Sequence, residues 1–406
     1  MSERRTFVIV GGGLAGAKAA EALRAEGFDG RLVLAGAEAR LPYERPPLSK
    51  SYLGGESTFD DAQVHDEGFY REHDIELRSG SRATALDTAD RRLELASGDE
   101  LTYDKLLIAT GAVPRRPPIP GANGEHVHVL RSVEDADALR AIAAGGGRLV
   151  IVGAGWIGCE VAATARGLGA EVTVVEQAGA PLERVLGPRL GEFFASLHRG
   201  RGVEVLVGTG VTAIEHGGQT VHVTDDRTIT CDAVLLGVGV QPATELAENA
   251  GLRIDDGIVA DERLRASRPH VFVAGDVAAA WHPRYGRRVR VEHWDNAQAQ
   301  GTFVARSMLD AGQPYAALPY FFSDQYDLGL EYVGLHDPAD ELVIRGSLDD
   351  GRFQAFWIAA DGRLSAGMHV NDWDAIGPIR ALVENRARVD PRQLAHPAEP
   401  LPEEVA

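Results

Sequence analysis

The sequence predicts an α/β protein with two Rossmann-like dinucleotide-binding domains and a smaller C-terminal α+β domain. Three observations predict it. The apolar run Phe7-Val8-Ile9-Val10 leads straight into Gly11-Gly12-Gly13-Leu14-Ala15-Gly16, and an Ala-rich helical stretch follows from Ala15 to Arg24. The same order returns at Arg148-Leu149-Val150-Ile151-Val152 and Gly153-Ala154-Gly155-Trp156-Ile157-Gly158, with a helical stretch from Cys159 to Leu168. From about Pro319 the composition turns to aromatic, strand-like stretches such as Leu330 to Val333 and Phe353 to Ile358. One glycine-rich turn is a moderate signal, whereas a duplicated strand–turn–helix unit is a specific one. The expected boundaries are 1–114 with 241–318 for the first domain, 115–240 for the second and 319–406 for the third.

The spacing G-x-G-x-x-G has a physical meaning. Gly11 allows the tight bend, Gly13 admits a pyrophosphate close to the backbone, and Gly16 lets helix and strand pack closely. The helix start around Ala15 then offers free N–H groups and partial positive charge to the phosphates. Arg31 to Ala35 reads as the second strand of this unit. A ribose-binding acid is expected near its end, but Gly36 and Ala37 stand there, so Glu38 is the candidate. Its alternative is a solvated loop charge. In Leu41 to Lys50 the prolines at 42, 46 and 47 stiffen the backbone, and the pair 46–47 resists helix until Leu48. Arg45 and Lys50 in that segment are cations able to meet an anionic group. Residues 75 to 110 alternate in the manner of β-hairpins, and Leu106 to Ala109 closes as a buried strand. The proline-rich stretch Val113 to Gly121 is a natural crossing between domains.

In the second unit, Glu171 to Glu176 is a strand ending in an acid at the position the motif requires. A Glu176 carboxylate accepts from both ribose hydroxyls and repels a 2′-phosphate, which favours NADH over NADPH. Arg184 lies further on, within reach of a phosphate. Residues 203 to 240 read as strands, and Gly237 and Gly239 stand where backbone can approach a ring. His270 to Asp276 is a strand closing in Gly-Asp. Asp276 is a candidate for binding a polyol, with the cap of a following helix as the alternative. The tail after Asp390, rich in Pro and Glu, is expected to be loosely held.

Composition narrows the function. The chain has 406 residues, enough for two or three domains, and 60 acidic against 41 basic residues give a net charge of −19. That argues against binding to nucleic acid or to an anionic membrane. No apolar run reaches the ~20 residues of a membrane span. Two cysteines, Cys159 and Cys231, are too few to ligate an iron–sulfur cluster and define no disulfide framework, so a cytoplasmic setting without a metal site is expected.

Read in order, GGGLAG, PPLSK, LLIATG, GAGWIG with Glu160 and Glu176, FVAGD, EHWDNA and FFSDQYD make the chain similar to the NADH-dependent ferredoxin reductases of bacterial oxygenase systems. These are FAD proteins of the glutathione-reductase fold. The resemblance implies that Gly11, Gly13, Ala15 and Gly16 line the FAD pyrophosphate with Arg45 and Arg131 in support. It implies Lys50 beside the isoalloxazine, Asp276 at the ribityl chain and Trp294 next to the flavin. It further implies Gly153, Gly155, Ile157, Gly158, Glu160, Glu176, Arg184 and Gly239 on the NADH side, with Glu160 contacting Lys50. Two departures stand out. Phe322 occupies the place of a tryptophan, which keeps a ring for stacking and loses the indole N–H. Ala37, beside Glu38, replaces a common acid.

Disulfide reductases of this fold carry a cysteine pair just ahead of the segment that here reads Pro46-Pro47-Leu48-Ser49-Lys50, and this chain has no cysteine before Cys159. Electrons are therefore expected to leave the flavin directly for a small acidic [2Fe–2S] ferredoxin, with Lys50 and Glu160 as catalytic residues. Arg284, Arg287, Arg288 and Arg290 form a basic run suited to docking it, or a solvated hairpin face. The alternatives are a rubredoxin or monodehydroascorbate-like reductase, an NADH oxidase or peroxidase, and an apoptosis-inducing-factor-like binding protein. Monomer and homodimer both stay open.

Overall fold

The computed structural model describes residues 5–401; the first four and last five residues of the ranges expected above lie outside them. The chain folds into two compact units. The first takes the chain up to Arg45, Phe59–Val113 and Val240–Ala317, and the second takes Pro46–Thr58, Pro114–Gly239 and the chain from Leu318 on.

The first unit is built on a five-stranded parallel sheet in the order Val271–Val273, Lys105–Ile108, Thr6–Val10, Arg31–Ala35, Ile75–Arg78. Its central strands are buried on both faces, which is why they read as unbroken apolar runs; Phe7, Val8 and Ile9 are fully buried. The helices Leu14–Ala25 and Trp294–Met308 pack against one another closely enough that a methyl at Gly301 would meet the Ala15 carbonyl oxygen at 2.5 Å. Ile75–Arg78 corrects the hairpin expectation: it is a parallel edge strand with Ile75 opposite Leu32. A half-buried edge alternates like a hairpin arm, so pattern alone does not separate them. Antiparallel pairing begins only at Ala83–Asp87, followed by Arg92–Leu95 and Glu100–Thr102.

The second unit repeats the parallel design in the order Glu204–Leu206, Glu171–Val175, Arg148–Val152, Ala233–Leu236, Val127–His128. It also contains an antiparallel sheet, ordered Tyr320–Gln325, Leu328–Gly334, Leu364–Val370, Arg352–Ile358, Glu341–Ser347. One core joins the two sheets: Leu149, Ile151, Val161 and Phe194 cluster with Leu330, Tyr332, Phe353 and Met368.

Two expectations change in this unit. Pro46–Ser49 forms a tight 3₁₀ turn that begins at Pro46 rather than resisting helix until Leu48, because a locked φ suits a first helical position. The short helix Ser51–Gly54 follows, with Leu53 in the core and the Tyr52 hydroxyl donating to Asp137 at 2.8 Å. The tail is not loose up to Glu399. Asp390 caps the helix Pro391–Ala395, and the Arg345 guanidinium donates to the carbonyls of Leu394, His396, Pro397 and Glu399.

Candidate active site

The two glycine turns have the same construction. Gly11 has φ +125°, and a methyl there would lie 2.1 Å from the Ala109 carbonyl oxygen; Gly153 has φ +99°, with the Gly237 carbonyl oxygen at 2.5 Å. A methyl at Gly16 would meet the Gly11 oxygen at 2.0 Å, and one at Gly158 the Gly153 oxygen at 2.1 Å. By contrast a methyl at Gly13 or Gly155 would meet no atom within 4 Å. So the first and last glycines are needed by the protein's own packing, and the middle one keeps space open before a helix start. Neither Gly13 nor Gly155 provides a side-chain cap, which leaves helical N–H groups for an incoming anion. Each cradle fits a dinucleotide pyrophosphate.

The strand-end acids differ. Glu176 follows Val175, and its carboxylate accepts from the backbone N–H groups of Ala154 at 2.6 Å and Ala178 at 2.7 Å. It is thereby fixed against the second glycine turn. In the first unit Gly36 packs against Gly12 instead, and Glu38 accepts from Arg45 at 2.7 Å and from the Tyr43 hydroxyl. Arg45 also donates to the Tyr43 oxygen at 3.0 Å. Burial pushes the Tyr43 phenol up to about 12. Glu38 is thus a member of a three-residue cluster with Arg45, not a free loop charge.

The most concentrated chemistry lies around Glu160, only 3% exposed on the helix Trp156–Gly167. Its Oε2 accepts from Ser49 at 2.6 Å and from the Lys50 ammonium at 2.7 Å, and its Oε1 accepts from Ser323 at 2.7 Å. Thr164, one turn on along the same face, donates to the Ser49 carbonyl at 2.8 Å and so ties the 3₁₀ turn to the helix. The Lys50 Nζ stands 5.5 Å from the centroid of the Phe322 ring. A buried carboxylate with three donors, one of them cationic, is satisfied where a lone one would not be. The structure brings Lys50, Glu160 and Phe322 together. Ser49, Ser323 and Thr164 were missed, although Ser49 and Ser323 sit inside the motifs PPLSK and FFSDQYD.

The remaining residues take these places. Asp276 lies in the turn after Val271–Val273, where the Gly275 N–H donates to Gln300 at 2.9 Å. Its helix-cap alternative falls away, because the chain runs on into the strand Ala278–His282. Trp294 opens the helix Trp294–Met308 in the first unit. In the second unit Arg131 stands one residue before Ser132, the cap of the helix Val133–Ala144, and the Arg131 backbone N–H donates to Asp135 at 3.0 Å. Ile157 is 43% exposed beside its glycine turn, which is unusual for an isoleucine and leaves an apolar contact available. Arg184 is exposed on the short helix Glu183–Leu186, and Gly239 is exposed at φ +89°.

Both cysteines are buried and unpaired. The Cys159 thiol donates to the Ala154 carbonyl at 3.5 Å and Cys231 to that of Gly218 at 3.3 Å. Burial raises both thiols, Cys231 to about 11, so neither is a ready thiolate. In the basic run, Arg287 and Arg288 are exposed. Arg290 is instead drawn into ion pairs with Glu292 and, at 3.1 Å, with Asp256.

Residues 5–301 match the pyridine nucleotide-disulphide oxidoreductases. The chain belongs to that family. Residues 320–405 match its reductase C-terminal domain. Over 393 residues this reductase is 41% identical to the anthranilate 1,2-dioxygenase system ferredoxin–NAD(+) reductase component of Burkholderia cepacia, covering 96% of this chain and 97% of that one. It superposes with a TM-score of 0.91, at 38% identity, on the ferredoxin reductase for the CYP199A2 system from Rhodopseudomonas palustris, covering 96% and 97% of the two chains. The reductase in the covalent putidaredoxin reductase–putidaredoxin complex gives a TM-score of 0.93 at 35% identity, covering 96% and 95%. The expected fold is therefore the fold of this reductase. Among the described residues no helix is long and apolar enough to cross a membrane.

Proposed function

We propose that this reductase is an FAD-dependent NADH:ferredoxin oxidoreductase whose partner is a small acidic [2Fe–2S] ferredoxin serving an oxygenase. The observation that carries the proposal is the Pro46–Lys50 turn. It presents Lys50, paired with the buried Glu160, and both thiols of the chain are buried and raised. A sulfur relay has no place here. FAD held in the first cradle would supply a hydride acceptor for NADH and a one-electron donor for the ferredoxin.

The protein's part is holding and polarising. Gly11, Gly13, Ala15 and Gly16 would hold the FAD pyrophosphate, with Arg45, Arg131, Glu38, Asp276 and Trp294 along the rest of the cofactor. Gly153, Gly155, Gly158, Ile157, Arg184, Gly239 and Glu176 would hold NADH, and the fixed Glu176 carboxylate disfavours a 2′-phosphate. Lys50 supplies positive charge beside Phe322, and Glu160 fixes where that charge sits. Two unpaired buried thiols fit a reducing cytoplasm.

The test is direct. The purified protein, loaded with FAD, should reduce cytochrome c under NADH far faster when a [2Fe–2S] ferredoxin is added. Failure to take up FAD, or a rate indifferent to ferredoxin, would end the proposal.

A further inference from the structure

A buried polar line leads away from Glu160 that the reading above does not use. Ser323 Oγ accepts from the Gln325 side-chain amide at 3.3 Å, and the Gln325 side-chain carbonyl lies 3.0 Å from Nε2 of His198. Nδ1 of His198 lies 3.0 Å from the Tyr326 hydroxyl. Ser323 and Gln325 are fully buried and His198 is 1% exposed.

The orientation of every group follows from one end. The Glu160 carboxylate only accepts, so Ser323 must donate to it. The Ser323 oxygen then takes the Gln325 N–H, which turns the Gln325 carbonyl toward His198. His198 must therefore carry its proton on Nε2, and its bare Nδ1 accepts from Tyr326. Tyr326, His198, Gln325 and Ser323 thus all donate in one direction, toward Oε1 of Glu160, and aligned donors strengthen one another.

The backbone points to the same place. Tyr326 opens the two-residue turn between Tyr320–Gln325 and Leu328–Gly334, and its φ of +59° is a value that glycine meets without strain. The hydroxyl that His198 accepts comes from that strained residue.

We propose that Tyr326, His198, Gln325 and Ser323 form a positioning relay that fixes the buried Glu160 carboxylate, and through it the Lys50 ammonium, for hydride transfer. The relay rests on the oxidoreductase function proposed above. His198, 1% exposed, acts through the other members.

The test follows flavin reduction by NADH in the FAD-loaded protein, without ferredoxin, by stopped flow. His198→Phe should slow the limiting rate about tenfold, the upper end of what one neutral hydrogen bond is worth, while the NADH concentration for half-maximal rate stays unchanged. His198→Gln, which keeps an N–H donor toward Gln325, should recover most of the rate. In a Ser323→Ala background, His198→Phe should cost nothing further, because the line is already cut. Tyr326→Phe, a milder change, runs the same cycle if His198→Phe does not retain FAD. Independently of rate, ¹⁵N NMR of the histidine-labelled protein should show His198 protonated on Nε2 at neutral pH. Losses that add in the double variant, or a His198 protonated on Nδ1, would overturn the relay. A wild-type flavin that NADH does not reduce would instead overturn the function proposed above.

Discussion

His198 should make the stability of the second unit pH-dependent in a calculable way. The imidazole is 1% exposed, and burial pushes it down from 6.5 to about 4, with only Gln325 opposing. Tyr326 faces it through its hydroxyl, and Arg201 lies over the Tyr326 ring at 5.1 Å. Because the folded protein resists protonating His198 while the unfolded chain does not, acid favours unfolding. Its contribution is fully present above pH 6.5, declines as pH falls toward about 4, and is constant below that. The gap is worth about 3 kcal/mol in full, and about 2 kcal/mol of it is gone by about pH 5. Urea unfolding of wild type and His198→Gln, at about pH 7.5 and about pH 5, isolates this residue because glutamine does not titrate. The free-energy gap between the two proteins should shift by about 2 kcal/mol against the wild type on acidification. A gap that stays constant would refute the buried neutral imidazole.

Four other outcomes are expected. Gly13→Ala should fold normally, within about 0.5 kcal/mol of wild type, yet weaken FAD binding at least about tenfold by fluorescence titration; Gly16→Ala should destabilise the apoprotein by about 1–3 kcal/mol, because its methyl meets the Gly11 oxygen. Wild type should prefer NADH over NADPH by about a hundredfold or more in kcat/KM, and Glu176→Ala should narrow that ratio at least about tenfold, since each factor of ten is about 1.4 kcal/mol. Replacing both Cys159 and Cys231 by alanine should leave ferredoxin-linked turnover within about twofold, since buried thiols carry no electrons. Reversing charge at Arg287 and Arg288 should raise the apparent KM for ferredoxin at low salt and lose that effect at high salt, as long-range steering does; unchanged KM at low salt would remove this hairpin from the docking surface.

What could be read from the sequence was local. A glycine turn with its strand and helix runs only from Thr6 to Ala25 in the first unit and from Arg148 to Gly167 in the second, so both dinucleotide cradles and Glu176 were visible without any knowledge of the fold. Lys50 with Glu160 was reached through the resemblance rather than through spacing. Ser49 and Ser323 stand 111 and 163 residues from Glu160, and a serine in a motif carries no mark of the partner it will meet. His198 hid for a different reason. It occupies the last turn of the amphipathic helix Pro188–Gly200, where a polar residue is ordinarily exposed. The misread segments share a cause. Ile75–Arg78 and the tail gripped by Arg345 each depend on a partner supplied from elsewhere in the chain.

The turn at Tyr326 carries a cost for anyone improving this protein. Glycine at that position would relax the backbone, and a screen that ranks variants by melting temperature alone would reward it. The same change deletes the phenol that anchors the far end of the buried line. Heat tolerance and catalytic competence would then pull in opposite directions at a single codon, and the conflict would go unseen unless turnover were scored beside thermal resistance.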